Sequence, residues 1–447
     1  MSINDLRSFL KLLEERGELV RVKRSVSNKF ELSSVARRSE IEDGPALLFE
    51  NVEGYSMPVV TGLLSKIDRI ALGIGVEKGQ ILQKITKAVD SPIKPKIADE
   101  GPVKDAVVLE NIDLIKMFPI PIHAEKDGGP FISAGVVIGK DPETGRRNLS
   151  YNRMHVKGPT KLGIHNDPWR HLGEFYKKAE VKGKPLEIAI CIGLDPAIEL
   201  AAAARVPYDE FELAGAMKGM PIELVKCETV DIEVPKNTEI VIEGKLPPTI
   251  REPEGPFAEY TGYYGMADSQ QIVEVTAVTH REKPIYRTIV GASMEHVILG
   301  NVVSREPVLY KFVKHAVPEV KAVHIQPYSA GYHAIISIKK EKEGMPRQAI
   351  FAALTSHINI KHVVVVDEDV DIFDPKDVFW AIATRVQGDK DVMIVPGAYG
   401  PDLDRTTEEG VTAKIGIDAT ASLDRKEDFT RVKHWKIDEI NLKDYNI

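Results

Sequence analysis

The chain has 447 residues, 43% of them hydrophobic and 28% charged; that length predicts two or three domains, and that composition excludes disorder over most of it. A formal net charge of −8 and a pI near 5.9 argue against a sequence-independent nucleic-acid binder, which needs a basic surface, and no DNA- or RNA-binding motif is present. No apolar run reaches membrane-spanning length and the first residues carry no signal-peptide core, so a cytoplasmic protein without a membrane span is expected.

The N-terminal segment, MSINDLRSFLKLLEERGEL, predicts an amphipathic helix with Leu6, Phe9, Leu10 and Leu13 on one face, capped by Asn4 or Ser2 and ending near Gly17. ELVRVKRSV then alternates like a strand. The glycine-rich GIGVEKG (73–79) lacks the strand–turn–helix context of a nucleotide-binding loop and is read as a loop. SPIKPKIADEGPVKDA (91–106), rich in Pro and charge, reads as a linker, and MFPIPIHAEKDGGP continues the irregular stretch.

From about 130 to 300 the pattern is mostly strand: FISAGVVIG, EIAICIGL, IELVKCETVDIEV, EIVIEG, QIVEVTAVTH and PIYRTIVG, with helical pieces at 169–182 and 196–219. Short strands between Gly, Pro and Asp turns suggest a barrel or sandwich. Cys191 and Cys227 sit in these apolar runs without metal-ligand spacing and are expected to be buried, reduced thiols. Beyond 300, helices at SREPVLYKFVKHAVP, MPRQAIFAALTSH and PKDVFWAIATRV alternate with strands at AGYHAIISIK and KHVVVVDEDV, a βαβ rhythm that predicts a parallel, doubly wound sheet. The expected organisation is α/β: an N-terminal α/β domain (1–105), a β-barrel-like middle domain (106–305) and a C-terminal α/β domain (306–447).

Three constellations can carry chemistry. In EPEGPFAEYTGYYG (252–265), Glu254 and Glu259 flank a Gly-Pro turn that can fold them to one point. Paired carboxylates in a partly apolar site hold one proton near neutral pH, and Phe257, Tyr260, Tyr263 and Tyr264 can supply apolar walls. In NLSYNRMHV (148–156), read as a strand, Asn148, Ser150 and Asn152 share one face, with Arg153 on the other unless the strand bends. An arginine there can bind a substrate carboxylate through two nitrogens. In LGIHNDPWRHLGEF (162–175), His165 and His171 flank a Pro-Trp turn, and YDEFELAG adds Glu210 and Glu212. Such oxygen and nitrogen donors suit Mn²⁺ or Mg²⁺ better than Zn²⁺. Taken alone, each constellation also fits a solvated turn, a structural ion pair or surface histidines.

Together they are not independent accidents. An Asn and an Arg five residues apart, a His about twenty residues on, a Glu before an aromatic and Ala-Gly, then VPKNTEIVIEG, EPEGPFAEYTGYY and finally KIGIDAT resemble the UbiD decarboxylase family in order and spacing over nearly the whole chain. EIVIEG followed by EGPFAEYTGYY is the specific part. The resemblance implies a split-barrel flavin domain in the middle and a C-terminal domain that dimerises. It also implies prenylated FMN as cofactor, with a divalent metal, usually manganese, and often K⁺ at its phosphate. Asn148, His171 and Glu210 fall on the family's metal positions, His171 and Glu210 being preferred over His165 and Glu212 by the family pattern. Arg153, Glu254 and Glu259 fall on its catalytic network, and Lys414 in AKIGIDAT on a partner for the cofactor phosphate. A flavin prenyltransferase is implied as cofactor supplier, and a homodimer or higher homo-oligomer as the assembly.

Decarboxylation leaves a carbanion-like centre that needs an electron sink, and no side chain here is an obvious one. Arg153 is then expected to hold the substrate carboxylate, Glu259 to protonate carbon, and Glu254 to anchor Arg153. His296, in GASMEHVILG, either approaches the substrate or is a hydrogen-bonded structural histidine. The expected activity is decarboxylation of an α,β-unsaturated or aromatic acid. The abundance of Lys and Glu leans towards trans-anhydromevalonate 5-phosphate in an archaeal isoprenoid pathway, ahead of a heteroaromatic or hydroxybenzoate-type acid. A metal-dependent hydrolase and a non-catalytic carboxylase subunit are the remoter alternatives.

Overall fold

The computed structural model describes residues 3–445. The first helix, Leu6–Glu15, buries Leu6, Phe9, Leu10 and Leu13 as the periodicity predicts. Its cap is Asp5 rather than Asn4: the Asp5 carboxylate accepts from Ser8 N while Ser8 Oγ takes up the Asp5 N–H. Ser2 lies outside the described residues. Of the segment 73–79, residues 73 and 74 end helix Ile67–Ile74, which Gly75 closes at φ +67°; the loop read there is confined to the residues before the short turn Lys78–Gln80. Nor is 91–106 a free linker, since Lys96–Ile97 pairs with strand Glu223–Lys226.

The chain forms two compact units. The first runs to Val308 and includes Ile325–Tyr332 and Pro401–Glu409; the second holds Leu309–His324, His333–Gly400 and the chain from Gly410 onward. In the first unit, strands Leu19–Val22, Ala46–Phe49, Val59–Thr61 and Tyr286–Arg287 make one small sheet.

The main sheet of that unit runs in the order Phe131–Ile132, Met154–Gly158, Lys161–Ile164, Asp268–His280, Ile240–Leu246, Leu186–Ile192, Val136–Lys140, Arg147–Tyr151. Only Asn152 and Arg153 separate strands Arg147–Tyr151 and Met154–Gly158, although these stand six places apart in the sheet. Laid flat, those strands would be about 29 Å apart; the linking chain reaches at most about 11 Å. The sheet therefore rolls back on itself as an open barrel around an apolar core that includes Val137, Leu162, Ile188, Ile190, Ile242 and Val273. The single strand expected over 148–156 is broken at this corner, so the side-chain alternation read across it does not hold.

In the second unit the sheet order is Val320–Ile325, His333–Ile338, His362–Asp367, Val411–Ala419, Val392–Tyr399. His333–Ile338, His362–Asp367 and Val411–Ala419 are parallel, as the βαβ rhythm predicts, but Val392–Tyr399 joins antiparallel at the edge. Strands such as HVVVVD bury both faces, which is why they read as continuous apolar runs.

Candidate active site

Arg153 projects from the corner where the sheet rolls over. The second contributor is Arg251–Gly265: strand Arg251–Glu254 pairs with the long strand Asp268–His280, a cis Gly255–Pro256 bond follows, and Phe257–Ala258 pairs with Tyr264–Gly265 as a short hairpin. This path carries Glu254 and Glu259, five residues apart in sequence, onto one guanidinium. Arg153 Nε donates to Glu254 Oε1 at 3.0 Å and Nη2 to Glu254 Oε2 at 2.8 Å, while Nη1 donates to Glu259 Oε1. Glu254 is wholly buried and Glu259 nearly so.

Burial alone would discharge such a group. For Arg153 it is outweighed by the two carboxylates, which hold the guanidinium above its ordinary value. Glu254 shows the mirror image: burial pushes it up, but His165 and Arg153 bring it below the usual carboxylate range. The arginine stacks over Phe257, 5.4 Å from the ring centre, and Phe257 packs on Phe131 at 4.7 Å between centres. Gly265 closes the other side: a Cβ there would stand 3.1 Å from Arg153 Nη1 and 3.2 Å from Glu259 Cγ.

The aromatic walls are only partly those the sequence suggested. Phe257 is buried, and Tyr260 meets the His296 ring edge-on at 5.8 Å. Tyr263, by contrast, is 61% exposed and lines nothing. His296 follows the cap residue Ser293 and lies near Glu259, and burial holds its imidazole below the ordinary histidine range. The two cysteines are free; Cys191 is buried and Cys227 half-buried, and burial pushes both thiols up.

Of the donor set Asn148, His171 and Glu210, the first two meet and the third is tied to the residue after Asn148. Asn148 sits on strand Arg147–Tyr151, His171 opens helix His171–Val181, and Glu210 opens helix Glu210–Lys218 behind the cap Asp209. Arg147 ties that strand to Asp209 and Glu233, each at 2.7 Å. His171 Nδ1 lies 2.9 Å from Asn148 Oδ1. Because that oxygen only accepts, Nδ1 carries the proton and Nε2 keeps its lone pair. Glu210 Oε2 accepts from Leu149 N at 2.8 Å. Glu210 is 1% exposed, forms no ion pair with a Lys or Arg among the described residues, and is pushed up to about 8 by burial. A carboxylate, an imidazole nitrogen and an amide oxygen are the donor types that suit a divalent ion. No group of three or more His, Cys, Asp or Glu with metal-holding geometry occurs among the described residues; this set has two such side chains and an amide.

Lys414 belongs to the second unit, where its ammonium is buried and donates to Leu354 O at 3.0 Å. His165, set aside as a metal ligand, lies beside Glu254 instead, with Nδ1 3.6 Å from Oε2. Asp127 was not foreseen at all: its carboxylate accepts from Ala258 N at 3.0 Å and Ala124 N at 2.9 Å, pinning the Phe257–Gly265 hairpin to the preceding loop. The sequence signal was the KDGGP turn, which needs an acceptor where two loops meet.

Comparison with known proteins shows the family. The chain matches the 3-octaprenyl-4-hydroxybenzoate carboxy-lyase family in its N-terminal domain (10–89), its Rift-related domain (95–294) and its C-terminal domain (299–419). It is 39% identical to the anhydromevalonate phosphate decarboxylase of Methanothermobacter thermautotrophicus, over 96% of this chain and 99% of that one. The UbiD-class enzyme HmfF of Pelotomaculum thermopropionicum, solved with FMN, is 49% identical with a TM-score of 0.96, covering 99% of this chain and 100% of that one. The 3,4-dihydroxybenzoic acid decarboxylase of Enterobacter cloacae is 30% identical with a TM-score of 0.93, covering 100% and 99%. The chain belongs to the UbiD family of carboxy-lyases and is a decarboxylase. No helix among the described residues is long and apolar enough to cross a membrane.

Proposed function

We propose that this decarboxylase uses prenylated FMN with Mn²⁺ (or Mg²⁺) and K⁺, and that its substrate is a small unsaturated or aromatic acid bearing a second anionic group. The observation that carries the reading is the buried Arg153 guanidinium shared by Glu254 and Glu259. An evolved dimeric form of HmfF, 46% identical, was solved with prFMN, which supports the cofactor. Asn148, His171 and Glu210 would hold the metal at the cofactor phosphate. Exposed Phe351, Phe373, Phe379 and Trp380 in the second unit support self-association. Supply of the cofactor by a separate flavin prenyltransferase belongs to the same reading.

Bound prenylated FMN supplies the electron sink that the side chains lack. Arg153 orients the substrate carboxylate and keeps the site charged. Phe257 and Phe131 exclude water from the arginine's face. Glu259, held through one nitrogen only, delivers a proton to carbon as carbon dioxide leaves. Glu254 anchors the guanidinium.

The second anion is argued from Arg305. Its Nη1 is buried without a hydrogen-bond partner, it forms no ion pair among the described residues, and burial pushes it down to about 10 beside Tyr260. Tyr260 also packs against His296, which lies near Glu259, so this cation lies at the Tyr260 end of that wall. trans-Anhydromevalonate 5-phosphate brings a phosphate to that end, and three archaeal enzymes of that name are 36–40% identical. A heteroaromatic or hydroxybenzoate-type acid with a second acidic group is the other reading, favoured by the higher identity to HmfF and by the aromatic lining.

The test is co-expression with a flavin prenyltransferase, purification without air, and an absorption spectrum with mass and metal analysis. Release of carbon dioxide from either acid class then names the substrate. Protein that stays colourless under conditions that load a relative overturns the cofactor assignment.

A further inference from the structure

Two carboxylates on one arginine leave open which of them takes a proton. Like charges this close raise each other's proton affinity, and the proton settles where the compensating charge is weaker. Resting on the proposed role of Glu259 as proton donor, we infer that His165 is a positioning residue that keeps Glu254 ionised and so confines the working proton to Glu259.

The geometry is that of a held side chain. His165 N donates to Arg153 O at 3.1 Å, and Asn152 Nδ2 donates to His165 O at 2.8 Å. Its backbone is thus fastened on both sides to the corner that carries the catalytic arginine. From there the ring lies between two acids: Nδ1 is 3.6 Å from Glu254 Oε2, and Nε2 is 3.4 Å from Asp167 Oδ1. Asp167 is itself held by Arg170 Nε at 3.0 Å. Arg153 faces the ring from the corner, Glu254 from strand Arg251–Glu254, and Asp167 with Arg170 from its own loop; charges alternate along the row.

Glu254 therefore has cations on two sides, while Glu259 meets Arg153 through Nη1 alone. Burial would discharge the imidazole, but Asp167 and Glu254 outweigh it and push it up to about 9. A cationic ring at working pH makes Glu254 the poorer base of the two. Without it, Glu254 competes for the proton, and the arginine it anchors is drawn out of place.

The first experiment is independent of turnover. Protein labelled with ¹³C in the histidine ring is titrated by NMR, and the His165 signal is identified by its loss in His165→Gln. It is expected to titrate well above the ordinary histidine range, and Asp167→Asn and Glu254→Gln are each expected to bring it down. Titration at or below the ordinary range overturns the inference, whatever acid the enzyme acts on. The second is the pH profile of the flavin-loaded enzyme. His165→Gln should lower kcat by about a hundredfold with little change in KM and move the acidic limb of the profile to higher pH, and His165→Lys should recover part of the loss. An unmoved acidic limb sinks the positioning role. Absence of any turnover by wild-type protein, with the NMR shift present, fails the proposed function and leaves the charge row standing.

Discussion

Arg153 grips Glu254 through two nitrogens, Nε at 3.0 Å and Nη2 at 2.8 Å, but reaches Glu259 through Nη1 only. Equal types of side chain are thus held unequally: Glu254 at both oxygens, Glu259 at one. Glu259→Gln keeps the shape and removes the acid. It should lower kcat by about 10²–10⁴-fold while the purified protein retains flavin absorbance. Near-wild-type turnover by loaded Glu259→Gln would place the proton elsewhere.

Arg153→Ala should do more than stop turnover. It leaves Glu254, which has no exposed surface, without its main counter-charge. Breaking a buried pair this way costs about 3–5 kcal/mol, read as a lower urea midpoint. The double variant with Glu254→Gln should regain much of that stability but none of the activity, which separates the two effects.

Gly265→Ala tests packing rather than charge. The added methyl would crowd Arg153 Nη1 and Glu259 Cγ. The two side chains must give by a few tenths of an ångström, and rate is sensitive to such misplacement, so kcat should fall with the melting temperature little changed. Unaltered kinetics would mean that the hairpin gives way freely.

Glu210→Gln should act oppositely on the metal-free and metal-loaded protein. A buried carboxylate pushed up to about 8 is a liability without a cation. The metal-free variant should therefore melt no lower than wild type. Added Mn²⁺ at a hundred times its dissociation constant should stabilise wild type by about 2.7 kcal/mol and the variant hardly at all.

Arg305→Gln addresses the substrate's second anion. Loss of one charge-assisted hydrogen bond, about 1.5–3 kcal/mol, should lower kcat/KM for a doubly anionic substrate by at least tenfold. A matched acid without the second anion should be affected far less. Equal losses on both acids would remove Arg305 from substrate recognition.

Stability against pH follows from His165. Its folded value, about 9, lies above the ordinary 6.5. The contribution is then complete below pH 6.5 and is lost as pH rises through 9. The melting temperature of wild type relative to His165→Gln should fall over that window; a constant difference would mean that the ring is neutral throughout.

Much of this protein was legible without coordinates, for physical reasons that differ by element. The first helix buries Leu6, Phe9, Leu10 and Leu13 because apolar spacing is a local property of a helix. The parallel strand HVVVVD could be read because burial on both faces leaves an unbroken apolar run. Arg153, Glu254 and Glu259 were named because their motif is specific to the family, not because spacing alone assembles them.

What tertiary structure alone decided is where the chain turns. Nothing local marks Asn152–Arg153 as the corner between strands six places apart in the sheet; rolling of the barrel imposes it. That corner aims Arg153 at both glutamates and brings His165 to Glu254 rather than to the Asn148–His171 pair. The same closure packs Gly265 closely against Arg153 and Glu259, calls on Asp127 to pin the hairpin, and turns Tyr263 out to solvent. Residue identity and periodicity act over a few neighbours. The balance of charge around one buried guanidinium depends on segments about a hundred residues apart, and only their meeting in space sets which carboxylate keeps its charge.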